Sequence, residues 1–204
     1  MIKLQPSRTS CTRHISTGFV KRFDIMAPKR KVASAAEDVV VATSKKVKAD
    51  GLSVGDDFPD LGPLETEEST DASKETVDLK DILKTKGVIL FFYPRANTPG
   101  CTTQACGLRD TYESIAATDY ELFGMSADKP KSQLNWKTKN NFPYHLLCDP
   151  SFEALKKLGV AKGGKSVNRS HIIVEKGGKV VVVEYGITPK NSIAGVKEFI
   201  ESKK

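Results

Sequence analysis

The sequence predicts an α/β fold in which a central mixed sheet is flanked by helices. Three observations support this class. An uninterrupted apolar run at Val88–Tyr93 is typical of a strand that is buried on both faces. Apolar side chains at helical spacing follow that run. Further along, "HIIVEKGGKVVVVEYG" contains two β-favouring runs joined by Gly177–Gly178, which is typical of an antiparallel hairpin.

The first predicted strand and helix meet at a cysteine. The strand stops at Pro94, because proline cannot donate to a sheet ladder. A helix is predicted from about Thr102, with apolar residues recurring on one face at Leu108, Tyr112 and Ile115. Cys101 is therefore expected at the N-terminus of this helix.

The remaining elements alternate in the same way. Glu121–Ala127 is predicted to be a second core strand, and Pro130 to open a helix that carries Leu134. The stretch "FPYHLLCDP" predicts a short strand, and the helix after it is expected to end at Gly159. Asn191 is predicted to cap a final helix whose apolar face consists of Ile193, Val196 and Ile200.

Charge divides the chain into a tail and a domain. Of the 204 residues, the first 50 hold 11 Lys or Arg against 4 Asp or Glu, whereas residues 51–204 hold 21 of each kind. The net charge of +7 therefore lies in the tail. Residues 1–50 have no periodic apolar stripe and are predicted to be a disordered basic tail. Residues 51–204 are expected to form one domain.

Cysteine usage and apolar runs exclude two classes of protein. Four cysteines are too few and too unevenly spaced for a secreted fold stapled by disulfides, so a reducing intracellular compartment is expected. The longest apolar runs are far shorter than the roughly 20 residues that span a bilayer. No membrane segment or membrane partner is predicted.

The basic tail has two parts. Residues 1–25 are rich in Arg, Lys, Ser and Thr, and they fit a mitochondrial-type presequence or an upstream extension, with Met26 as an alternative to Met1 as the start. Residues 26–50 carry Lys29-Arg30-Lys31 and Lys45-Lys46, separated by 13 residues, which resembles a bipartite nuclear import signal.

The tail thus predicts an import receptor as partner and a nuclear location, with a mitochondrial or cytoplasmic pool as the alternative. A solvated tail that only aids solubility is the other interpretation. The import segment contains no aromatic residue on which a base could stack, so no specific nucleic-acid binding is predicted.

The residues around the cysteine resemble those of a known family. Pro94, Thr98 and Cys101 match the P-x-x-x-T-x-x-C motif of peroxiredoxins, and the spacing to Cys106 resembles that of the Q, or bacterioferritin-comigratory-protein, subfamily. The resemblance covers roughly residues 52–204 and includes "GDDFPDL", "LLCDP" and "NRSHIIVEKGGKV". With its basic tail, the chain is similar to nuclear members of this subfamily from fungi. Both the order of elements and the resemblance favour a thioredoxin-like fold.

The motif residues suit a nucleophilic cysteine. A helix N-terminus stabilises a thiolate at Cys101 through free N–H groups and partial positive charge. Pro94 would fix the approaching loop, and the Thr98 hydroxyl can orient a peroxide oxygen. The resemblance adds Arg169, whose guanidinium would stabilise both the thiolate and the charge on the leaving oxygen.

The resemblance also implies an activity and its partners. A thiol peroxidase of this type reduces hydrogen peroxide and alkyl hydroperoxides in antioxidant defence and redox homeostasis. Cys101 would be the peroxidatic residue and become a sulfenic acid, and Cys106 would resolve it as an intramolecular disulfide that thioredoxin reduces. A monomer is expected, and no metal, haem or flavin is required.

Other interpretations are open at this point. The cysteine pair could oxidise a nuclear partner as a redox relay or sensor, or act as a disulfide reductase, although the usual reductase motif is C-x-x-C. Both cysteines could also be ordinary buried residues, or ligands of zinc. Cys148 is expected to be a buried bystander or a back-up thiol, and His145 and His171 to be structural or surface residues.

Overall fold

The computed structural model describes residues 51–203, which form a seven-stranded sheet with helices on both sides and a separate two-stranded ribbon. The strands are β1 (Leu64–Thr66), β2 (Thr76–Val77), β3 (Gly87–Phe92), β4 (Tyr120–Ser126), β5 (His145–Cys148), β6 (Ala161–Lys162), β7 (Ser166–Val167), β8 (Ser170–Val174) and β9 (Val180–Tyr185). The helices are α1 (Leu79–Ile82), α2 (Pro99–Arg109), α3 (Tyr112–Ala116), α4 (Pro130–Asn140), α5 (Glu153–Lys157) and α6 (Pro189–Glu201). Within these residues, no helix has both the length and the apolar character that a bilayer crossing demands.

The large sheet is mixed, as the sequence predicts. Its strand order is β2-β1-β5-β4-β3-β8-β9. Strand β4 runs parallel to β3 and β5, whereas β8 is antiparallel to β3 and β9. Parallel neighbours need crossover connections, which α2 and α3 supply between β3 and β4, and α4 supplies between β4 and β5. The apolar run of β3 is therefore an interior strand, and all six of its residues are buried.

Successive side chains from Val88 to Tyr93 alternate between two hydrophobic cores. The core that includes side chains of α1 and α5 receives Val88, Leu90 and Phe92. The core beneath α2, α4 and α6 receives Ile89, Phe91 and Tyr93. Cys101 is a member of this second core, so the central strand directly supports the start of α2.

Glycines let α6 pack closely against α2 and β8. A Cβ atom at Gly107 of α2 would lie 2.3 Å from Ile193 Cδ1, and one at Gly195 of α6 would lie 2.8 Å from His171 Cε1. A larger residue at either position would push the helix outwards. The two contacts therefore fix the distance of α6 from the elements around Cys101.

The structure confirms the predicted hairpin but divides one predicted helix into two. The hairpin of β8 and β9 does turn at Gly177–Gly178, whose φ angles are +92° and +91°. The helix predicted to continue through Ile115 is instead two helices, α2 and α3. Thr111 lies at the break, where its hydroxyl donates to the carbonyl oxygen of Gly107 at 2.8 Å and competes with helical backbone bonding.

One further helix prediction is confirmed and another needs correction. Pro130 does open α4, which carries Leu134; that side chain is 38% exposed, and the buried positions of the helix are Gln133 and Trp136. The N-cap of α6 is Thr188 rather than Asn191, because the Thr188 Oγ1 atom accepts a hydrogen bond from the Asn191 N–H at 3.2 Å.

Candidate active site

Cys101 lies where the chain passes from β3 into α2. It is the third residue of α2 and is 1% exposed. Thr98 is the N-cap, with an extended backbone, and its carbonyl accepts the Thr102 N–H at 2.8 Å. Amide groups ahead of Thr102 have no helical carbonyl to pair with. The N-terminal end of the helix dipole therefore favours negative charge at this sulfur.

The loop that leads to Thr98 is held by side-chain contacts. The Ala96 N–H donates to Asp128 Oδ2 at 2.7 Å, which ties the loop to the end of β4. The Thr98 hydroxyl donates to the Arg95 carbonyl at 3.0 Å, so its oxygen can still accept a hydrogen bond from a hydroperoxide. Pro94 begins the loop and is exposed.

Arg169 reaches the cysteine from another part of the chain. It lies just before β8, and its Nη2 atom is 3.3 Å from the Cys101 sulfur. Its Nη1 atom donates to Gln104 Oε1 at 2.5 Å. The guanidinium thus stands beside the sulfur and can stabilise a thiolate or a negatively charged oxygen close to it.

The second cysteine of the motif lies further along the same helix. Cys106 is half-buried on α2, and Cys101, Cys106 and Cys148 are all free thiols. In a continuous helix, Cα atoms five residues apart are about 8 to 9 Å apart, given a rise of about 1.5 Å per residue. A disulfide rarely spans more than about 7 Å between Cα atoms. A bond between Cys101 and Cys106 therefore requires that α2 open locally.

Cys106 faces an open groove of ≈ 500 Å³ between the start of α2 and the end of α4. Thr98, Thr102 and Thr103 line one side, and Lys139 and Asn140 line the other. The Cys106 sulfur is 3.9 Å from Asn140 Oδ1. A partner approaching this groove would meet Cys106, whereas Cys101 is covered.

Side chains from α4 and the segment after it bond to α2 along its length. The Trp136 Nε1–H donates to Thr102 Oγ1 at 3.2 Å near the start of α2. Further along, the Tyr144 hydroxyl donates to the Ala105 carbonyl at 2.8 Å. In the other direction, Arg109 of α2 donates through Nη1 to the Asn140 carbonyl of α4 at 2.8 Å. Opening α2 at its N-terminal turn would break the first of these bonds.

Cys148 is a buried residue of β5, and its surroundings do not favour the reactive thiolate form. It is 3% exposed, and burial raises the pKa of its thiol from 9.0 to about 12. Gln133 Nε2 lies 3.4 Å from its sulfur. A thiol with so high a pKa is almost entirely protonated at neutral pH and is a poor nucleophile.

The two histidines of the domain have opposite environments. His171 is fully buried, neither ring nitrogen has a hydrogen-bond partner among residues 51–203, and burial lowers its pKa from 6.5 to about 4. His145 is partly exposed, and its hydrogen bond with Glu67 raises its pKa. Burial opposes ionisation of Glu67, but hydrogen bonds from His145, Lys137 and the Leu146 N–H outweigh it and lower its pKa from 4.5 to about 2.

The zinc interpretation gains no geometric support. Within residues 51–203, the group with ligand atoms close enough to hold a metal ion is Glu67, Glu68 and His145, and it includes no cysteine. The Lys137 ammonium group already contacts the Glu67 carboxylate there.

The fold and the site together define a protein of the thiol-dependent peroxidase class. A sequence model described as the AhpC/TSA family matches residues 54–183. The chain is 49% identical over 144 residues to Peroxiredoxin bcp1 of Schizosaccharomyces pombe, covering 70% of this chain and 71% of that protein. It is 33% identical over 150 residues to Peroxiredoxin Bcp of Bacillus subtilis, covering 70% and 91%.

Solved structures of proteins in the same group are similar to this chain in fold. Peroxidoxin BcpB from Mycobacterium tuberculosis is similar with a TM-score of 0.66 and 27% identity over 74% of this chain and 97% of that one. Peroxiredoxin Q from Xanthomonas campestris is similar in fold, with a TM-score of 0.62. The chain belongs to the peroxiredoxins of the AhpC/TSA family, in their Bcp or peroxiredoxin Q group. It has a thioredoxin-like fold and acts on peroxides by cysteine chemistry, for which the family needs no prosthetic group.

The structure brings most of the predicted site residues together. Cys101 and Arg169 are in direct contact, Thr98 caps the helix of Cys101, and Cys106 lies on that helix. Pro94 is at the far end of the approach loop. Gln104, which accepts a hydrogen bond from Arg169, was not predicted as a site residue. The signal for Gln104 was its position three residues after Cys101, one helical turn further along the same face.

The predictions for residues 1–50 lie outside the residues that the structure describes. They comprise the disordered tail, the presequence or upstream extension, and the nuclear import signal.

Proposed function

We propose that this peroxiredoxin reduces hydrogen peroxide and alkyl hydroperoxides at Cys101, and that Cys106 then closes an intramolecular disulfide which thioredoxin reduces. The observation that carries the proposal is the contact of 3.3 Å between the Arg169 guanidinium and a cysteine sulfur at a helix start. Positive charge from two sources, the side chain and the helix end, is directed at one buried sulfur.

The first step is a displacement at oxygen. The Cys101 thiolate attacks the terminal oxygen of the hydroperoxide, the O–O bond breaks, and the leaving oxygen takes a proton to become water or an alcohol. Cys101 is oxidised to the sulfenic acid and the peroxide is reduced. Thr98 accepts a hydrogen bond from the bound hydroperoxide, and Arg169 stabilises the charge that develops on its oxygens.

The second step joins the two cysteines. The Cys106 thiol attacks the sulfenic sulfur, an S–S bond forms, and the hydroxyl leaves with a proton as water. The dithiol of thioredoxin then reduces this disulfide and becomes a disulfide itself. We propose that its first attack falls on Cys106, which in the dithiol form lines the open groove while Cys101 is covered. Both cysteines belong to one helix, so the cycle needs no second copy of the chain, and we propose a monomer.

The test of the activity is consumption of NADPH in the presence of peroxide, thioredoxin and thioredoxin reductase. Wild-type protein should oxidise NADPH in proportion to the peroxide added, and Cys101→Ser should abolish this because a serine hydroxyl is not ionised near neutral pH. Cys148→Ser is the matched control and should retain turnover. Full activity in Cys101→Ser would refute the assignment of the peroxidatic cysteine.

A nuclear location is proposed from the charge of the tail. Lys29, Arg30, Lys31, Lys45 and Lys46 form two basic clusters in residues 26–50. Changing these five residues to Ala should abolish nuclear accumulation of a fluorescent fusion and leave peroxidase activity intact. Nuclear accumulation of that variant at the wild-type level would exclude the clusters as the import signal. Mass spectrometry of the mature N-terminus would show whether residues 1–25 are retained and so decide the mitochondrial alternative.

A further inference from the structure

Helix α4, which forms one wall of the groove at Cys106, is strongly basic. It contains no Asp or Glu. The lysines of the helix and of its N-cap position are Lys129, Lys131, Lys137 and Lys139. The domain as a whole has 21 basic and 21 acidic residues. The charge of α4 is therefore a local excess in a domain that is otherwise balanced.

Two of these lysines form a row on the exposed side of the helix. Lys131 and Lys139 are about two helical turns apart with exposed Asn135 between them, and side chains four residues apart lie along one side of a helix. Neither lysine forms an ion pair within the part of the chain that the structure describes. Lys139 also lines the groove, with its Nζ atom 3.4 Å from Asn97 Oδ1, and the described residues of that groove include no carboxylate. We call Lys131 and Lys139 the basic row.

Helix α4 is attached to the sheet independently of α2. Gln133 Nε2 donates to the Leu147 carbonyl of β5 at 2.9 Å. The mostly buried Lys137 contacts the buried Glu67 carboxylate, which follows β1 directly. Neither bond involves α2, so neither has to break when the first turn of α2 opens for the disulfide. The basic row therefore keeps its place beside the groove in both redox states.

We propose that the basic row is a docking surface for the reductant of the disulfide, and that this reductant is a protein dithiol with acidic side chains around its reactive cysteine. The inference rests on the proposed function, in which the reductant attacks Cys106. Opposite charges on two surfaces accelerate their encounter, because the attraction acts before contact and orients the partners. Hydrogen peroxide is neutral and gains nothing from the row. The row thus acts on the reductive half of the cycle and leaves the oxidative half unchanged.

Nucleic acid is the other polymer that exposed lysines attract. Two observations favour a protein. The row borders the groove at Cys106, which a dithiol has to reach. The described residues that line this groove include no aromatic side chain on which a base could stack.

The test measures the two halves of the cycle separately in the full chain. The value of kcat/KM for thioredoxin reports reduction of the disulfide, and kcat/KM for hydrogen peroxide reports oxidation of Cys101. Dithiothreitol, a neutral dithiol, provides a reduction rate that does not depend on charge. Loss of all peroxide-dependent turnover in the wild type would refute the proposed function, whereas an active enzyme with no charge dependence would refute this inference alone.

In Lys131→Glu and Lys139→Glu, kcat/KM for thioredoxin should fall about threefold to tenfold at low ionic strength, and the difference from wild type should shrink as salt is added. The kcat/KM for hydrogen peroxide and the rate of reduction by dithiothreitol should stay at the wild-type values. Lys176→Glu is the matched control, because Lys176 is exposed at the hairpin turn. The turn lies beside the start of β3, at the opposite end of that strand from Cys101.

Lys131→Glu is the decisive variant, because Lys139 also contacts Asn97 of the approach loop. A kcat/KM for thioredoxin equal to that of the wild type in Lys131→Glu would overturn the proposal. An equal decrease in Lys176→Glu would also overturn it, since net charge and not the basic row would then attract the reductant. Binding of a short DNA duplex that is lost in Lys131→Glu, with unchanged thioredoxin kinetics, would assign the row to nucleic acid instead.

Discussion

Replacement of His171 by Leu should change how the stability of the domain depends on pH. His171 is a residue of β8 whose buried side chain lies against Gly195 of α6, and burial lowers its pKa from 6.5 to about 4. Well above pH 6.5 the ring is neutral in both the folded and the unfolded chain, so it makes no pH-dependent contribution to stability. As pH falls from 6.5 to about 4, the unfolded chain binds a proton that the folded chain does not, so stability is lost.

The size of the effect follows from the two pKa values. A difference of one unit is worth about 1.4 kcal/mol, so the complete loss below pH 4 is about 3 kcal/mol. Between pH 7 and pH 5 the linkage relation gives about 2 kcal/mol. Leucine has a similar size and does not titrate, so His171→Leu should remove this part of the pH dependence and leave the contributions of other groups in place.

The assay is urea unfolding of both proteins between pH 5 and pH 8, followed by circular dichroism. The free energy of unfolding of His171→Leu, relative to wild type, should rise by about 2 kcal/mol from pH 7 to pH 5. His145→Leu is a control of opposite sign. The pKa of His145 is raised, so its contribution is present below pH 6.5 and is lost as pH rises through the folded value.

A difference between wild type and His171→Leu that does not vary with pH would refute the reasoning. It would mean that the folded protein accepts the proton, with Glu184 as the cross-strand neighbour able to pair with it.

Four further predictions concern the thiols. Thr98→Val should slow peroxide oxidation of Cys101 but leave its alkylation by iodoacetamide nearly unchanged, because the lost hydroxyl acts on the peroxide. Equal decreases of the oxidation rate, measured by stopped flow, and of the alkylation rate would contradict this. Cys106→Ser should consume about one equivalent of peroxide, accumulate a sulfenic acid detectable with dimedone, and fail to turn over with thioredoxin. Oxidation of the wild type, but not of Cys106→Ser, should increase hydrogen exchange across residues 102–108, and unchanged exchange would exclude opening of α2. Cys148 should react with iodoacetamide only after the domain is unfolded, because its pKa of about 12 and its burial protect it; rapid labelling in the native protein would contradict this.

The features predicted best from the sequence are those that depend on residues close together in the chain. The buried strand that stops at Pro94 and the helix that begins beside Cys101 are local events, and both were predicted correctly. The contact of Arg169 with Cys101 joins residues 68 positions apart, and only the family resemblance indicated it. Gln104 was not predicted to belong to the site, because its partner Arg169 lies 65 residues away. The helix that Pro130 opens and that carries Leu134 was also predicted correctly, and its buried positions are Gln133 and Trp136.

Because Trp136 is hydrogen-bonded to Thr102, its fluorescence should depend on whether the two cysteines are reduced or joined in a disulfide. Trp136 is the single tryptophan of the chain, and its indole N–H ends on the first turn of α2. Opening of that turn would remove the bond and change the polarity around the ring. Intrinsic fluorescence should therefore follow disulfide formation and reduction in real time, without a label. When peroxide is added to this protein alone, the tryptophan emission comes from one indole, so its changes report on the first turn of α2.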